Sequence, residues 1–111
     1  MAQTFNPIEI VHNYARDLNK KIKVQKVILF GSASRNQMTY DSDIDVIVLS
    51  SDFKKLDYIQ RLQLLSRARK GLSRQVPMDI LGYTSDEFNK MTRESVVLAE
   101  AKKEGKEIKI F

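Results

Sequence analysis

Residues Lys26–Arg35 read KVILFGSASR, and residues Asp41–Ser50 read DSDIDVIVLS. Each segment holds a short aliphatic run, rich in β-branched side chains, which is typical of a strand buried on both faces. The first run ends in a Gly-Ser pair, and the second begins with the acids Asp43 and Asp45. A turn suited to phosphate therefore faces paired carboxylates across one polar loop, and this pairing favours chemistry on a metal-bound nucleotide.

The composition predicts one small folded domain, residues 1–111. The chain is 42% hydrophobic and 30% charged, a balance that favours folding over disorder. No run approaches the roughly 20 apolar residues of a membrane-spanning helix, and residues 1–7 lack the pattern of a secretory signal. The absence of cysteine excludes disulfides and thiolate zinc sites. We expect a cytoplasmic protein with no membrane partner.

The formal net charge of +5 favours polyanionic partners such as nucleotides. Most basic residues are interspersed with acids, however, as on any solvated surface. One denser cluster would meet an acidic partner or form the wet face of a helix: Arg61, Arg67, Arg69, Lys70 and Arg74. Basic residues are not interleaved with aromatic ones in the way that single-strand binding requires, so we do not expect a nucleic-acid partner.

The periodicity of apolar residues predicts the order helix, strand, strand, helix, strand, one or two helices, and a last short strand. The first helix, capped by Asn6, has the predicted stripe Ile8, Val11, Ala15, Leu18 and Ile22. The second helix, Leu56–Lys70, has the predicted stripe Ile59, Leu62, Leu65, Ala68 and Leu72, and Gly71 as its C-terminal cap. The strands are predicted at Val24–Phe30, Ile44–Leu49, Val76–Leu81 and Glu107–Phe111, with helices between Thr84 and Gly105. This order predicts an α/β fold, a small mixed β-sheet flanked by helices.

Three residues after the first strand suit a phosphate. Gly31 has no Cβ, so its backbone would approach a ligand closely. Ser32 adds a hydroxyl donor, and Arg35 adds a planar guanidinium that matches phosphate geometry. A Gly-Ser pair by itself is also compatible with an ordinary turn.

Asp43 and Asp45 are separated by one residue, which puts both carboxylates on one face of a strand, about 6–7 Å apart. Ile44 and Val46 would then point the other way, into apolar packing. Two such carboxylates repel each other unless a cation lies between them, and hard oxygen ligands suit Mg²⁺. The alternative is a pair of acids in a turn that caps the strand.

Asp79 lies within the otherwise apolar segment Val76–Leu81, where a charge is costly unless it is paired or binds a metal. If this strand neighbours the strand of Asp43 and Asp45, three carboxylates converge. Three acids are able to hold two metal ions for in-line attack at phosphorus, and Asp79 would also take the proton of the attacking hydroxyl. In the alternative, Asp79 pairs with a basic residue such as Arg74.

Other kinds of active site are excluded within this chain. One histidine and no cysteine leave no Ser-His-Asp triad, Cys-His pair or histidine-rich metal site. The sequence contains neither a P-loop motif nor a dinucleotide-binding fingerprint.

The segment Phe30–Arg35, the motif Ser42–Val46 and the later Asp79 together resemble the nucleotidyltransferase superfamily of DNA polymerase β type. The short chain is most similar to the minimal nucleotidyltransferases of bacteria and archaea, over nearly its whole length. The resemblance implies the polymerase β-like fold and a transferase that moves a nucleoside monophosphate, AMP from ATP, to a hydroxyl. The resemblance implies that Gly31 and Ser32 hold the triphosphate. It also implies that two Mg²⁺ ions are bound by Asp43, Asp45 and Asp79.

The resemblance also implies a partner. Minimal members are commonly encoded beside a HEPN-domain toxin, act as its MntA-type antitoxin, and in some cases add AMP to a tyrosine of the toxin. This chain departs from the family at Ser34-Arg35-Asn36, where Ala-Arg-Gly is frequent, and the departure bears on the rate and the choice of acceptor more than on the fold. So small a domain leaves one side of its cleft open, for a partner or an oligomer to complete. Two alternatives stay open: an antitoxin that acts by contact alone, and a transferase acting on a small molecule or RNA.

Overall fold

The computed structural model describes residues 6–31 and 43–110. Its helices are α1 (Pro7–Leu18), α2 (Tyr58–Arg67), α3 (Leu72–Gln75), α4 (Ser85–Met91) and α5 (Val96–Glu104), with a 3₁₀ helix at Ser51–Lys55. Its strands are β1 (Lys26–Phe30), β2 (Ile44–Leu49), β3 (Met78–Tyr83) and β4 (Lys106–Glu107). No helix in the described ranges is long and apolar enough to cross a membrane.

The four strands form one mixed sheet in the order β3-β2-β1-β4. β2 pairs antiparallel with β1 and parallel with β3, while β1 pairs antiparallel with β4. Helices cover both faces, so β2 is buried almost throughout, as its uninterrupted aliphatic run predicts. The predicted α/β class, with a small mixed sheet flanked by helices, is confirmed.

The two faces of the sheet have separate cores. On one face, even-numbered residues of β2, including Val46, pack with α1, with Phe53 and with Leu65 of α2. On the other face, Ile47 packs with Phe88 of α4 and with residues of α5. The alternation of side chains along β2 assigns its residues to these two cores.

Several predicted bounds and stripes are wrong. Ile8 is 37% exposed, because α1 buries Ile10 and Tyr14 beside Val11, Ala15 and Leu18. The hydroxyl of Tyr14 donates to the carbonyl of Leu65 at 2.7 Å, so this aromatic residue joins α1 to α2. The predicted first stripe is therefore buried at Val11, Ala15, Leu18 and Ile22 and is wrong at Ile8, and the packed face is wider than predicted because it also includes Ile10 and Tyr14.

The second helix also differs from the prediction. It ends at Arg67, and Gly71, with φ 55°, precedes α3 instead of capping α2. Ile59 and Leu72 are each 59% exposed, so Leu65 and Ala68 are the buried members of the predicted stripe. Short polar turns interrupt the apolar period here, and the period alone does not reveal them.

The remaining differences are smaller. β1 begins two residues later than predicted, β3 extends from Met78 to Tyr83, and β4 occupies Lys106–Glu107. Reciprocal hydrogen bonds between Thr84 and Glu87 form a capping box that begins α4, where the predicted helical region starts. Val97 of α5 is 62% exposed, while Leu98 and Ala101 of the same helix are buried.

Candidate active site

The parallel pairing of β2 and β3 places Asp45 directly opposite Asp79. Opposed residues of paired strands share one face of the sheet, with backbones about 5 Å apart. Ile44 and Val46, which flank Asp45, are fully buried in the opposite core. The predicted alternation along this strand is confirmed, and the two aspartates emerge together on one face.

Asp43 precedes β2 by one residue and is exposed, Asp45 is half-buried, and Asp79 is exposed. Burial raises the pKa of Asp45, and the carboxylates of Asp79 and Asp43 raise it further. None of the ion pairs between described residues includes any of the three acids, so Asp79 does not pair with Arg74. The three carboxylates therefore interact mainly by repulsion.

Gly31 lies against this acidic group. Phe30, the last residue of β1, is paired with Asp45, and Gly31 follows with a φ of 70°. A Cβ at Gly31 would lie 2.6 Å from Oδ2 of Asp45, so only glycine fits without a shift of the carboxylate. The predicted close approach of Gly31 to a ligand stays a prediction, and the structure shows that the space a Cβ would fill is taken by the Asp45 carboxylate. Ser32 and Arg35 lie outside the described residues.

A cleft of about 210 Å³ opens beside Gly31 and Asp45 and has α5 as its other wall. The helix contributes residues at the spacing of one helical face: Val97, Glu100, Ala101 and Glu104. Sequence reasoning missed the two glutamates. The two glutamates are four residues apart, so they lie on one side of the helix. This spacing was a signal that would have placed both beside the cleft.

The donor set suits a hard divalent cation, because carboxylate oxygens are the ligands that Mg²⁺ prefers. In residues 6–31 and 43–110, no three acidic or histidine side chains are gathered closely enough to form a ready-made metal site. Asp43, Asp45 and Asp79 nevertheless suit such an ion by their chemistry, and Asp45 and Asp79 share one face of the sheet. They are the described residues that could hold it.

This end of the sheet combines a glycine backbone, repelling carboxylates and an open cleft. Carboxylates of this kind neutralise a cation when ionised and accept a proton from a hydroxyl when one is brought close. Asp79 is exposed on the edge strand and is accessible to a second substrate. The arrangement suits transfer of a phosphate-bearing group to a hydroxyl.

Two relatives from Methanocaldococcus jannaschii carry the name "Putative protein adenylyltransferase". The chain is 35% identical to one of them over 57 residues, which are 51% of this chain and 50% of the relative. It is 31% identical to the other over 70 residues, which are 63% of this chain and 70% of the relative. The match thus spans half the length of the first relative and 70% of the second.

Two solved structures share the fold. A "toxin-antitoxin with AMP-PNP" aligns with a TM-score of 0.60 and 27% identity, over 88% of this chain and 72% of that one. The "toxin-antitoxin MntA-HpeT", in a variant form, aligns with a TM-score of 0.56 and 25% identity, over 88% and 71%. The predicted polymerase β-like nucleotidyltransferase fold and the predicted likeness to MntA are confirmed.

The family model described as "Nucleotidyltransferase domain" matches residues 11–109, which include every strand of the sheet and all three aspartates. The chain therefore belongs to the nucleotidyltransferase domain family.

Proposed function

We propose that this single minimal domain is a Mg²⁺-dependent adenylyltransferase that moves AMP from ATP to a tyrosine hydroxyl of a HEPN-domain toxin, and so acts as its antitoxin. Gly31, Ser32 and Arg35 would hold the triphosphate. Asp43, Asp45 and Asp79 would hold the metal, and Asp79 would also accept the proton. A cytoplasmic location belongs to this proposal, because the reaction consumes ATP.

One observation carries the proposal: Asp45 and Asp79 are directly opposed on one face, and Gly31 leaves the space beside Asp45 that a Cβ would fill. Opposed carboxylates without a cationic partner are destabilising unless a ligand neutralises them. Binding of a cation and phosphate would explain why these carboxylates lie together beside the cleft that Asp45 lines. The relatives' name and the toxin–antitoxin structures support the choice of AMP and of a toxin as acceptor.

In the proposed reaction the acceptor oxygen attacks the α-phosphorus of ATP. A bond from that oxygen to phosphorus forms, the bond from phosphorus to the bridging oxygen breaks, and pyrophosphate leaves with the electron pair. Asp79 takes the proton of the hydroxyl as its oxygen becomes nucleophilic. Mg²⁺, when bound, would neutralise the phosphate oxygens and stabilise the leaving group.

The remaining residues of the site position the reactants. Gly31 leaves room for Asp45, so that this carboxylate stays on the face that it shares with Asp79. The half-buried Asp45 lies in a less polar setting than Asp43, which strengthens its interaction with any cation. Exposed Asp79 is left at the side from which an acceptor enters.

The test is transfer of label from α-labelled ATP to a HEPN-domain protein encoded beside this chain, in Mg²⁺ or Mn²⁺. We expect the wild type to label the toxin and Asp43→Asn to leave it unlabelled. Absence of transfer by the wild type, with the toxin still neutralised, would replace the proposal by neutralisation through contact. Loss of label on changing the acceptor tyrosine to phenylalanine would identify the hydroxyl.

A further inference from the structure

Two arginines cap the outer edge of β3 and leave its middle open. β3 is an edge strand of the sheet, so one side of its backbone has no strand partner among the described residues. Arg69 donates to the carbonyl of Val76 just before the strand, and Arg61 donates to the carbonyl of Gly82 near its end. Capped carbonyls are unavailable to another chain, so the open part of the edge lies between them.

The hydrogen bonds between β2 and β3 show which peptide groups of β3 are free to bind another chain. The carbonyls of Pro77 and Tyr83 accept from residues of the β2 segment, so odd-numbered residues of β3 direct their peptide groups inward. Met78 and Ile80 therefore direct theirs outward. Within the described part of the chain no hydrogen bond is made to these outward groups. The open edge thus offers two N–H donors and two carbonyl acceptors, on either side of Asp79.

We propose that this edge, Met78–Ile80, is the acceptor-binding site, and that it takes an extended polypeptide segment whose hydroxyl residue lies directly opposite Asp79. The inference rests on the proposed function and names how its acceptor binds. It is continuous with the candidate site, because Asp79 belongs both to the edge and to the carboxylate group.

Strand geometry fixes where the hydroxyl residue would lie. On the open side Asp79 is at a non-hydrogen-bonded position, where the Cα atoms of an antiparallel pair are only about 4.5 Å apart. Opposed side chains share a face, so the acceptor side chain projects beside Asp79 and toward Asp45. An added strand in this register therefore presents its hydroxyl to the carboxylates.

The neighbours of the hydroxyl residue would point to the opposite face of the sheet. A hollow of about 180 Å³ lies there between α2 and β3, lined by Leu62, Leu65, Ser66, Arg69, Met78 and Ile80, with Asp79 at its rim. Its aliphatic walls suit apolar residues of modest size on each side of the hydroxyl. Acidic residues at these places would lose hydration against the aliphatic walls, and the Arg69 guanidinium is already engaged by the carbonyls of Ser73 and Val76. The predicted acceptor pattern is apolar, hydroxyl, apolar.

The probe is a capped heptapeptide, Lys-Thr-Val-Tyr-Val-Thr-Lys, titrated into the ¹⁵N-labelled 111-residue chain without nucleotide. We expect the amide signals of Met78 and Ile80 to shift, and replacement of both valines by glutamate to weaken binding. Shifts confined to other regions, or no binding of the peptide, would overturn the inference.

Two variants of the chain test the edge and the hollow separately. Met78→Pro removes an outward N–H but no ladder bond, and Leu62→Glu places a charge at the hollow. Each should weaken peptide binding roughly tenfold, the effect of about one hydrogen bond or one apolar contact. Ile59→Glu is the matched control, since Ile59 is exposed on the same helix and lines neither the hollow nor the cleft.

The two proposals fail in different ways. Peptide binding at Met78 and Ile80 without AMP transfer would support the docking edge and contradict the transferase. Transfer to the toxin that is unchanged in both Met78→Pro and Leu62→Glu would overturn the docking edge and leave the transferase standing. Circular dichroism and thermal melts of each variant confirm that a loss of binding does not come from unfolding.

Discussion

Polar groups at the two ends of the paired strands β2 and β3 differ in whether they have partners. At the end near Ser50, the Ser50 hydroxyl donates to the Lys23 carbonyl and accepts from the Asp52 amide, and Asp52 accepts from the Lys23 amide. At the other end, Asp45 faces Asp79 without a cationic partner in the described structure. Satisfied polar groups stabilise the first end, while the second keeps charges that a ligand would satisfy.

Arg61 shows how completely the satisfied end is paired. Its guanidinium donates to the carbonyls of Leu56, Gly82 and Phe53 and makes two bonds to Glu87, the shorter at 2.7 Å. It also lies over the Phe53 ring, 5.6 Å from the centroid. The contrast suggests that changes at the first end alter stability, and changes at the second alter activity.

The largest expected effect is at the carboxylate end. Asp45→Asn should lower the rate of AMP transfer about 10³-fold, the scale found when a group that stabilises transition-state charge is removed. The melting temperature should stay the same or rise, because the variant loses a repelling charge. Rate measurements and calorimetric melts on the same samples check both parts. A large fall in melting temperature would show that Asp45 has a structural role instead.

Next in size is Arg61→Ala, which should lower the free energy of unfolding by about 3 kcal/mol, since three carbonyls and the Glu87 carboxylate lose the hydrogen bonds that Arg61 donates. Urea unfolding gives the value. Arg67→Ala, on an exposed position of the same helix, is the control and should change stability by less than about 0.5 kcal/mol. Equal effects of the two variants would contradict the assigned role of Arg61.

Gly31 and Gly71 provide a matched pair, since both have positive φ, of 70° and 55°. Alanine at either should cost about 1–2 kcal/mol of stability from backbone strain. Only Gly31→Ala should also slow AMP transfer, because its Cβ would meet Asp45, whereas a Cβ at Gly71 has nothing within 4 Å. Measuring the stability and the transfer rate of both variants separates the effect of backbone strain from the effect of displacing the Asp45 carboxylate. Equal transfer rates would argue against the contact.

The smallest effect is on the pH dependence of stability, and the two ends should differ in sign. The Arg61 hydrogen bond lowers the pKa of Glu87, so its contribution is present above the ordinary carboxyl pKa and is lost as pH falls through the lowered value. Asp45 has a raised pKa, so its ionised form opposes folding at neutral pH, and this penalty disappears as pH falls through the raised value.

The free energies of unfolding of Glu87→Gln and Asp45→Asn should therefore differ from that of the wild type in opposite directions at pH 7. In acid, all three free energies should become similar. Glu87→Gln is expected to be less stable and Asp45→Asn more stable. Each difference should be under about 1 kcal/mol, because the Glu87 side chain is 40% exposed and solvent screens its charge. Urea titrations from pH 7 to pH 4 measure the two curves. If both variants were more stable than the wild type at pH 7, or both less stable, the proposed difference between the two strand ends would be contradicted.

Most of the fold was predictable, because strong local signals specify it. The aliphatic run of β2 gives its bounds, and the capping box at Thr84 gives the start of α4. Helix ends and stripes were less predictable, as Ile8 and Gly71 show. Which side of a helix packs depends on a long-range contact such as that of Tyr14 with Leu65, which local periodicity does not contain.

The candidate site was predictable in its aspartates but not in its surroundings. The spacing of Asp43 and Asp45, with a charge at Asp79 in an apolar segment, is readable without a structure. The facing of Asp45 with Asp79 depends on strand register, and the open edge of β3 depends on strand order. Neither the register nor the strand order can be predicted from a short stretch of sequence, because both arise from pairing between distant segments.

The most direct test of the central claim is water-proton relaxation of Mn²⁺ bound to the chain together with α,β-methylene-ATP, whose α-phosphorus cannot be transferred with release of pyrophosphate. We predict a strong enhancement with the wild type and with Glu87→Gln, and its loss in Asp43→Asn, Asp45→Asn and Asp79→Asn. Equal enhancement in the wild type and the three aspartate variants would show that the cation and nucleotide bind elsewhere, and would contradict the claim.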